Sequence, residues 1–329
     1  MSLWVLNSQQ LNQYSAMIKR ITLLLLLGLC YCHLSAQSNK TTYLFSYFKG
    51  NGEDGLHLAW SADGLKWESL KNDQSFLQPV VGISKLMRDP CIIQGPHGLF
   101  LMVWTSGWTE RGIGYASSRD LITWSEQQYL KVMDHEPTTK NTWAPELFYD
   151  KASKQYIIYW ASTIPGRFSA GAEAGDAGYN HRLYYTTTKD FKTFTPTQLF
   201  YDQNFNVIDG TIQKIGKEYL LFLKDETRNP PQKNLRIARS TQLLGGYSKA
   251  SEPITGKYWA EGPTVLKIGK NWIVYFDKYT EHKYGAVSSS DLKTWTDISD
   301  QVSFPAGVRH GTMFKVRTKW FNQELKSKL

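Results

Sequence analysis

One short phrase recurs along the chain and limits the folds that the sequence can adopt. An Asp follows small or hydroxyl-bearing residues and stands four positions before an aromatic residue. The clear copies carry the pairs Asp63/Trp67, Asp120/Trp124, Asp190/Phe194 and Asp291/Trp295, and a degenerate fifth copy, ARSTQLLGGYSKA, reaches Tyr247. Repetition at this period, with several short strands per repeat, is typical of a β-propeller, whose four-stranded blades surround a central channel. The sequence therefore predicts five similar β units.

The segments between the copies support an all-β fold. They are short and apolar, such as GLFLMVW, QYIIYW, EYLLFL and NWIVYF, and helical periodicity is almost absent. Aromatic residues make up 14% of the chain, including 12 Trp and 19 Tyr. We expect the aromatic residue of each copy to pack between neighbouring blades, and not to serve as a platform for sugar.

The two ends of the predicted propeller complete each other. The first unit starts with strands but lacks the opening phrase of the others, whereas VRHGTMFKV near the C-terminus has no outer strands after it. We predict that residues 308–316 supply the inner strand of the N-terminal blade, which closes the ring and removes free sheet edges. Residues 37–329 are then a single five-bladed domain.

Residues 1–36 are expected to be a signal peptide. Lys19 and Arg20 precede the apolar run ITLLLLLGLCY, and small residues up to Ala36 follow it. The run is too short for a permanent membrane span, so we predict cleavage after about Ala36 and a secreted or periplasmic protein. Cys91 is then the only cysteine of the processed chain, which excludes an intramolecular disulfide.

The charge of the chain gives little support to a nucleic-acid partner. The formal net charge is +9, but the basic residues are scattered and form no stripe. We therefore expect no nucleic-acid partner, no membrane span and a monomeric protein.

Acidic residues open three of the predicted inner strands. MRDPCII carries Asp89, NVIDGTI carries Asp209 and WAEGPTV carries Glu261, while a fourth opening, NTWAPELFYD, carries Trp143 and Glu146. Inner strands converge on the channel, so side chains at their starts are expected to meet in one pocket. A buried carboxylate is costly unless it is paired or protonated, so acids in apolar sequence indicate a reactive site.

The series RDP, WAPE, IDG, EGP and RHG resembles glycoside hydrolase family 43, whose five-bladed inverting enzymes act on arabinose- and xylose-containing glycans. The resemblance implies that Asp89 is the general base, Asp209 the carboxylate that orients the acid and tunes its pKa, and Glu261 the general acid. It also implies a sugar contact from Arg309. His310 is implied to lie in the channel beside a water or a metal ion, with calcium or sodium as the candidate. No cofactor is expected to be required.

The chain departs from the family pattern at several positions. Glu146 stands where many members have Asp, and Asp209 is followed by Gly210 where many have Pro. Asp54 in NGEDGLHL, also early in a blade, remains an alternative base. Further candidates for contact with the sugar are Trp104, Trp108, Trp143, Trp160, Glu146 and Lys224.

Two segments depart from the repeat and are candidates for loops at the rim. Residues 169–182 are rich in Gly and Ala and are long for a hairpin loop. They either shape the site or form a surface insertion. Residues 224–234 form the second segment, in which Lys224 and Glu226 either line the site or form an ordinary ion pair.

Hydrolysis with inversion explains why these acids would differ in protonation. It needs a protonated acid at the leaving oxygen and an ionised base that holds a water, with carboxyls roughly 6.5 to 9.5 Å apart. We expect apolar Trp259 and Ala260, together with ionised Asp209, to keep Glu261 protonated. Arg88 is a candidate for keeping Asp89 ionised.

Several functions fit these features. An exo-acting α-L-arabinofuranosidase is the first expectation, ahead of a β-xylosidase and of a galactosidase or galactofuranosidase. A retaining fructosidase of family 32 is also five-bladed, but the chain lacks the Asn-Asp-Pro-Asn phrase of that family. A carbohydrate-binding propeller without catalytic activity is the alternative from another class.

Overall fold

The computed structural model describes residues 40–169 and 176–329, and the predicted signal peptide lies outside these residues. The described residues form nineteen strands: β1 Thr41–Tyr47, β2 His57–Ser61, β3 Glu68–Ser69, β4 Arg88–Gln94, β5 Phe100–Thr105, β6 Ile113–Ser118, β7 Gln128–Leu130, β8 Trp143–Asp150, β9 Gln155–Ser162, β10 Arg182–Thr188, β11 Gln198–Tyr201, β12 Val207–Ile215, β13 Glu218–Asp225, β14 Asn234–Ser240, β15 Glu261–Ile268, β16 Asn271–Lys278, β17 Lys283–Ser289, β18 Thr296–Asp297 and β19 Thr312–Arg317. Short helical turns occupy Lys71–Asp73, Pro96–Gly98, Asp176–Gly178, Thr318–Trp320, Phe321–Leu325 and Lys326–Lys328. Within these residues no helix combines the length and apolar character of a membrane span.

The strands form five antiparallel sheets, which are the five blades of a propeller. Blade 1 has the order β19-β1-β2-β3, blade 2 is β4 to β7, blade 3 is β8 to β11, blade 4 is β12 to β14 and blade 5 is β15 to β18. Strands β19, β4, β8, β12 and β15 are innermost, and each contacts the next around the channel. The all-β, five-bladed prediction is confirmed.

The C-terminal strand closes the ring as predicted. Strand β19 pairs antiparallel with β1, from Thr41 opposite Arg317 to Ser46 opposite Thr312. Just before β19, the backbone N–H of Arg309 donates to the carbonyl of Phe48 at 3.1 Å. Blade 1 is thus built from both ends of the described chain.

The hydrophobic core of the described part of the chain consists of five clusters, one between each pair of neighbouring blades. The repeated aromatic residue contributes to it in most copies. Trp67 of blade 1 meets Tyr275 of blade 5 edge-on, with ring centroids 6.0 Å apart, and Trp295 meets Phe222 in the same way at 6.1 Å. Phe194 differs, because it is 38% exposed in a surface depression beside Val132.

The repeated Asp shapes the turn after the third strand of a blade. In the first copy, Asp63 Oδ1 accepts from the backbone N–H groups of Leu65 at 2.7 Å and Lys66 at 2.9 Å. Asp120, Asp190 and Asp291 each accept two such bonds in the same way. The phrase therefore encodes a turn and is not part of the site.

Blade 4 has three strands, and it contains the degenerate copy of the phrase. In the other blades a fourth strand pairs with the third. In blade 4 the backbone N–H groups of the outer strand β14 donate hydrogen bonds to side-chain hydroxyls instead. The acceptors are Thr255 for Leu235 N–H, Ser251 for Ile237 N–H and Ser248 for Arg239 N–H. These bonds cover an edge that would otherwise present unpaired donors.

Inner strands β4, β8, β12 and β15 have the same irregularity at their starts, and the backbone just before β19 follows the same pattern. In β4, Arg88 pairs with Thr105 and Cys91 with Val103, so that Asp89 and Pro90 bulge from the ladder. The bulged pairs of the other inner strands are Ala144-Pro145, Asp209-Gly210, Gly262-Pro263 and His310-Gly311. The first residue of the bulge is left-handed at Asp89, Ala144, Asp209 and Gly262, with φ of 52°, 46°, 52° and 62°. Such bulges re-aim side chains and are frequent beside active sites.

The residue after each bulge belongs to a ring in the channel, which we call the channel ring: Cys91, Glu146, Thr211, Thr264 and Thr312. Glu146 is 5% exposed. Its carboxylate accepts hydrogen bonds from the hydroxyls of Thr211 and Thr312, each at 3.1 Å. Burial raises the pKa of Glu146 to about 7.

Removal of the closing strand tests its role in stability. Deletion from Val308 onward exposes β1 and removes the four buried positions of β19, so we expect no soluble folded protein. Deletion of residues 327–329, which are exposed, should leave the fold intact. Soluble yield and thermal melting followed by circular dichroism measure both. A well-folded protein lacking residues 308–329 would contradict the role of β19.

Glu146→Gln tests the cost of the buried carboxyl. The folded-state pKa of about 7 lies above the usual glutamate value of about 4.3, so the folded state binds more protons between these pH values and stability falls as pH rises. Gln cannot ionise and keeps an oxygen acceptor. We expect the variant to gain stability over wild type on going from pH 5 to pH 8, by on the order of 2 kcal/mol in urea unfolding. Glu324→Gln, at an exposed position, is the matched control. An equal effect of Glu146→Gln at both pH values would contradict the prediction.

Candidate active site

The residues at the bulges meet in a pocket of about 360 Å³ at one mouth of the channel. All five blades contribute to its walls. The lining includes most of the residues predicted from sequence: Asp89, Asp209, Glu261, Trp108, Trp143, Lys224, Arg309 and His310. A larger cleft of about 500 Å³ lies between the outer strands of blades 4 and 5, and among the described residues that line it the acids are Glu252 and Asp297. The acids therefore cluster at the channel mouth.

Asp89 lies in the bulge of β4 and is held by two donors. His310 Nδ1 lies 3.3 Å from Oδ1, and the Thr105 hydroxyl donates to Oδ2 at 2.8 Å. The same Thr105 oxygen accepts from Ala144 N–H at 2.8 Å, which ties the bulges of blades 2 and 3 together. Burial acts to raise the pKa of Asp89, but the hydrogen bond and charge of His310 hold it below its usual range. Asp89 is thus an ionised, buried carboxylate.

Asp209 occupies the equivalent bulge in blade 4. Its Oδ2 accepts from the backbone N–H of Gly262 at 2.9 Å. Burial, together with the negative charge of Glu261, raises the pKa of Asp209 to about 6. Gly262 has φ of 62°, and a Cβ there would lie 2.3 Å from His310 Cγ. Glycine is therefore required between Asp209 and His310.

Glu261 lies one residue before its bulge, so it is equivalent to Arg88 and Trp143 and not to Asp89. Its Oε2 accepts from Lys224 Nζ at 3.0 Å, and Arg309 Nη2 lies 3.4 Å from Oε1. The structure gives Glu261 two cationic neighbours in place of the apolar surroundings expected from the sequence. Side chains on other blades supply these charges, which the local sequence does not reveal.

Asp277 is a buried acid that the sequence reasoning missed. It is the cross-strand neighbour of Glu261 in β16, and its Oδ2 accepts from Arg309 Nε at 2.6 Å. Burial and the charge of Glu261 raise the pKa of Asp277 to about 6. Its sequence context, YFDKYT, reads as the end of a strand, and only the register with Glu261 reveals its position. Asp277 fixes Arg309, which in turn contacts Glu261.

His310 lies among carboxylates that favour its protonated form. Burial acts to lower its pKa, but the charges of Asp209 and Asp89 raise it to about 9. Hard cations such as calcium prefer oxygen ligands, whereas an imidazole offers nitrogen. Within residues 40–169 and 176–329, no group of three or more His, Cys, Asp or Glu is arranged to hold a metal. The residues at this position do not fit direct ligation of calcium or sodium by His310, and we derive no step through a metal.

Aromatic rings form one wall of the pocket. Trp108 meets Trp143 edge-on at 5.5 Å, Trp143 lies 4.8 Å from Tyr179, and Tyr179 stacks on His181 at 5.2 Å. Trp108 is 46% exposed at the rim. The guanidinium of Arg88 packs on the Trp108 ring at 4.2 Å and donates to Asn51 Oδ1 at 3.1 Å. This wall presents flat apolar faces to the pocket.

The opposite wall combines Trp259 and Tyr279 with three buried charges. Lys224 Nζ lies 4.5 Å from the centre of the Tyr279 ring and 2.7 Å from Glu226 Oε2. Lys233 also pairs with Glu226. Lys224 and Glu226 therefore line the site and form an ion pair at the same time. Both segments that depart from the repeat reach the pocket, through Tyr179 and His181 of the first and through these residues of the second.

Four sequence candidates lie outside the pocket. Glu146 belongs to the channel ring and is absent from the lining residues, so its predicted contact with sugar does not match its buried position. Trp104 and Trp160 are fully buried in the core. Asp54 pairs with His57 at 2.8 Å and its side chain is 52% exposed, away from the clustered acids. The position of Asp54 disfavours it as the base.

Comparisons with known proteins agree with this geometry. The family model described as "Probable glycosyl hydrolase domain", of the family 43-related type, matches residues 39–321. An α-L-arabinofuranosidase of Bifidobacterium longum subsp. longum is 26% identical over 206 residues, which are 52% of this chain and 19% of that protein. The chain thus spans about a fifth of the length of that relative.

Solved structures show the same fold at low identity. The α-L-arabinofuranosidase from Lactobacillus brevis matches with a TM-score of 0.51 and 17% identity, over 65% of this chain and 72% of that chain. A thermostable family-43 glycoside hydrolase matches with a TM-score of 0.50 and 16% identity, over 68% and 75% of the two chains. The propeller, the clustered acids and the family match over residues 39–321 lead to one assignment: the chain belongs to the family 43-related glycoside hydrolases.

Proposed function

We propose that the protein is a secreted, inverting exo-glycosidase that removes α-L-arabinofuranosyl residues from the side chains of plant-type polysaccharides. The observation that carries the inverting chemistry is the contrast between two sets of carboxyls. Asp89 is held ionised by His310 and Thr105, whereas burial and the charge of Glu261 raise the pKa of the neighbouring Asp209 to about 6. Inverting hydrolysis needs one ionised carboxylate and a second site that can hold a proton.

The base in this mechanism is Asp89. It accepts a proton from a water as the water oxygen attacks the anomeric carbon, and His310 and Thr105 orient the carboxylate during the step. The charge of His310 also stabilises the ionised form, so Asp89 is ready to act at neutral pH and below. The bond between the anomeric carbon and the leaving oxygen breaks as the new carbon–oxygen bond forms on the opposite face.

The acid is Glu261, which transfers its proton to the leaving oxygen. Asp209 lies close enough to interact electrostatically with it, because the charge of Glu261 together with burial raises the pKa of Asp209 to about 6. The Asp209 bond to Gly262 N–H fixes the backbone next to Glu261. After the reaction Asp89 carries the proton from water and Glu261 is ionised, and exchange with solvent restores both.

The shape of the pocket favours release of single terminal sugars. Its volume of about 360 Å³ is at the small end of ligand pockets, roughly 300 to 1,000 Å³. The channel ring lies beneath it and aromatic walls enclose two sides, which suits one sugar ring better than a continuous chain. Arabinofuranose is favoured because the Bifidobacterium relative and the Lactobacillus structure are both named α-L-arabinofuranosidases. A β-xylosidase or a galactosidase or galactofuranosidase is the alternative, and a non-catalytic binding propeller would bind without turnover.

Exchange of the acids for amides tests their roles. Asp89→Asn should lower kcat about 10³-fold on every substrate, because the water loses its base. Glu261→Gln should cause a similar loss on glycans but a much smaller one on aryl glycosides with good leaving groups, which need little protonation. Asp54→Asn is the matched control and should behave as wild type. Proton NMR of the first product should show inverted configuration. Retention, or loss of activity in Asp54→Asn but not in Asp89→Asn, would contradict the assignment.

A product screen tests the substrate and the mode of cleavage. Chromatography of digests of arabinan, arabinoxylan and arabinogalactan should reveal arabinose as the only sugar released, because the pocket admits one terminal ring. Release of oligosaccharides would contradict exo cleavage, whereas xylose or galactose as the product would favour the alternatives. Binding to these glycans with no turnover, also on a panel of aryl glycosides, would favour the non-catalytic propeller.

A further inference from the structure

Glu226 lies between two lysines whose side chains are almost fully buried. The side chains of Lys224 and Lys233 are each 2% exposed, and that of Glu226 is 16% exposed in the wall of the pocket. Lys224 Nζ lies 2.7 Å from one oxygen of Glu226, and Lys233 Nζ contacts the other. One carboxylate thus balances two buried ammonium groups.

The same Lys224 contacts the proposed acid. Its Nζ lies 3.0 Å from Glu261 Oε2, so the four side chains form a line in the order Lys233, Glu226, Lys224, Glu261. Opposite charges alternate along this line. The Tyr279 ring lies 4.5 Å from Lys224 Nζ, and the Trp259 ring lies 5.7 Å from Lys233 Nζ. Aromatic rings thus pack on both lysines and limit their access to water.

The alternation matters because buried charges interact strongly. Removal of the Glu226 charge would leave Lys224 with Glu261 as its nearest carboxylate partner and Lys233 without its counter-ion. Both positive charges would then favour the ionised form of Glu261, which cannot donate a proton. The proposed mechanism needs the opposite state, in which Glu261 or its partner Asp209 carries a proton.

We infer that Glu226 is a positioning residue for the general acid: it holds Lys224 and neutralises Lys233, so that Glu261 can carry the proton it donates. The inference rests on the proposed function of Glu261 as the acid. Glu226 acts through Lys224 and does not itself contact the reacting atoms.

Other charged groups face Glu261 from each packed element. Asp209 approaches from β12, Asp277 from β16, Arg309 from the segment before β19, and Tyr279 from the end of β16. Arg309 is already balanced by Asp277 at 2.6 Å, and burial lowers the pKa of His181, near Glu226, to about 4, so that it is neutral. Lys233 is therefore the charge near Glu226 whose balance depends on it.

The test compares pH profiles of kcat/KM for wild type and Glu226→Gln on two substrates, an arabino-oligosaccharide and an aryl arabinofuranoside with a good leaving group. Deprotonation of the acid sets the alkaline limb, so the limb should move to lower pH in the variant. At pH 7.5 the kcat/KM of Glu226→Gln should be lower than that of wild type by about tenfold or more on the oligosaccharide and by about threefold or less on the aryl substrate. Glu218→Gln, at the other end of β13 and exposed, is the matched control and should match wild type.

A second variant separates charge from folding. Glu226→Gln combined with Lys233→Gln removes the carboxylate and the lysine it balances, so the alkaline limb should return towards its wild-type position. Circular dichroism and thermal melting verify the fold of each variant, and the double variant carries the test if the single one does not fold. A purely structural defect would lower kcat/KM equally on both substrates. The additional Lys233→Gln substitution would then not restore the alkaline limb.

Three results would overturn the inference. An unmoved alkaline limb in a folded Glu226→Gln protein would do so, and so would an equal rise of KM on both substrates, which would indicate a direct sugar contact. An unrestored limb in the double variant would be the third. If the wild type is active and Asp89→Asn and Glu261→Gln behave as predicted, the proposed function holds. Each of these three results then contradicts only the role inferred for Glu226. A wild type without hydrolytic activity would overturn the proposed function and this inference together.

Discussion

The pairing of β19 with β1 is the interaction on which the rest of the structure depends. A propeller that does not close presents two sheet edges, and its first and last blades lose one of their two apolar interfaces. Here the closing strand also brings Arg309 and His310 to the channel, where they contact Glu261 and Asp89. The same backbone hydrogen bonds that stabilise the ring therefore complete the charge arrangement of the pocket.

The pocket is organised by alternating charge. His310 lies between Asp89 and Asp209, Lys224 between Glu226 and Glu261, and Arg309 between Asp277 and Glu261. Each of these three cations has two acidic neighbours, and most of the ion pairs join different blades. A buried pair of this kind is strongly disturbed when one member is removed. Single substitutions in the network should thus act on distant members through charge.

The sequence predicted the features that recur in each blade and those that depend only on neighbouring residues in the chain. The Asp–aromatic phrase is repeated because each blade needs the same turn, so five copies were enough to predict the fold. Asp89 and Asp209 open inner strands, and their position at the channel followed from that. The surroundings of Glu261 did not follow, because Lys224 and Arg309 come from other blades and Asp277 depends on the register of β16 with β15. Glu146 was misplaced as a sugar contact because a bulge of two residues carries the strand from the pocket to the channel ring.

The close fit of Gly262 and His310 couples the site to the order of synthesis. The face of Gly262 is filled by the imidazole ring of a residue that is made after the other four blades. Without that segment, Asp89 and Asp209 would have no cation between them, and their negative charges would repel one another. A growing chain that lacked it would therefore carry both acids without the imidazole that balances them.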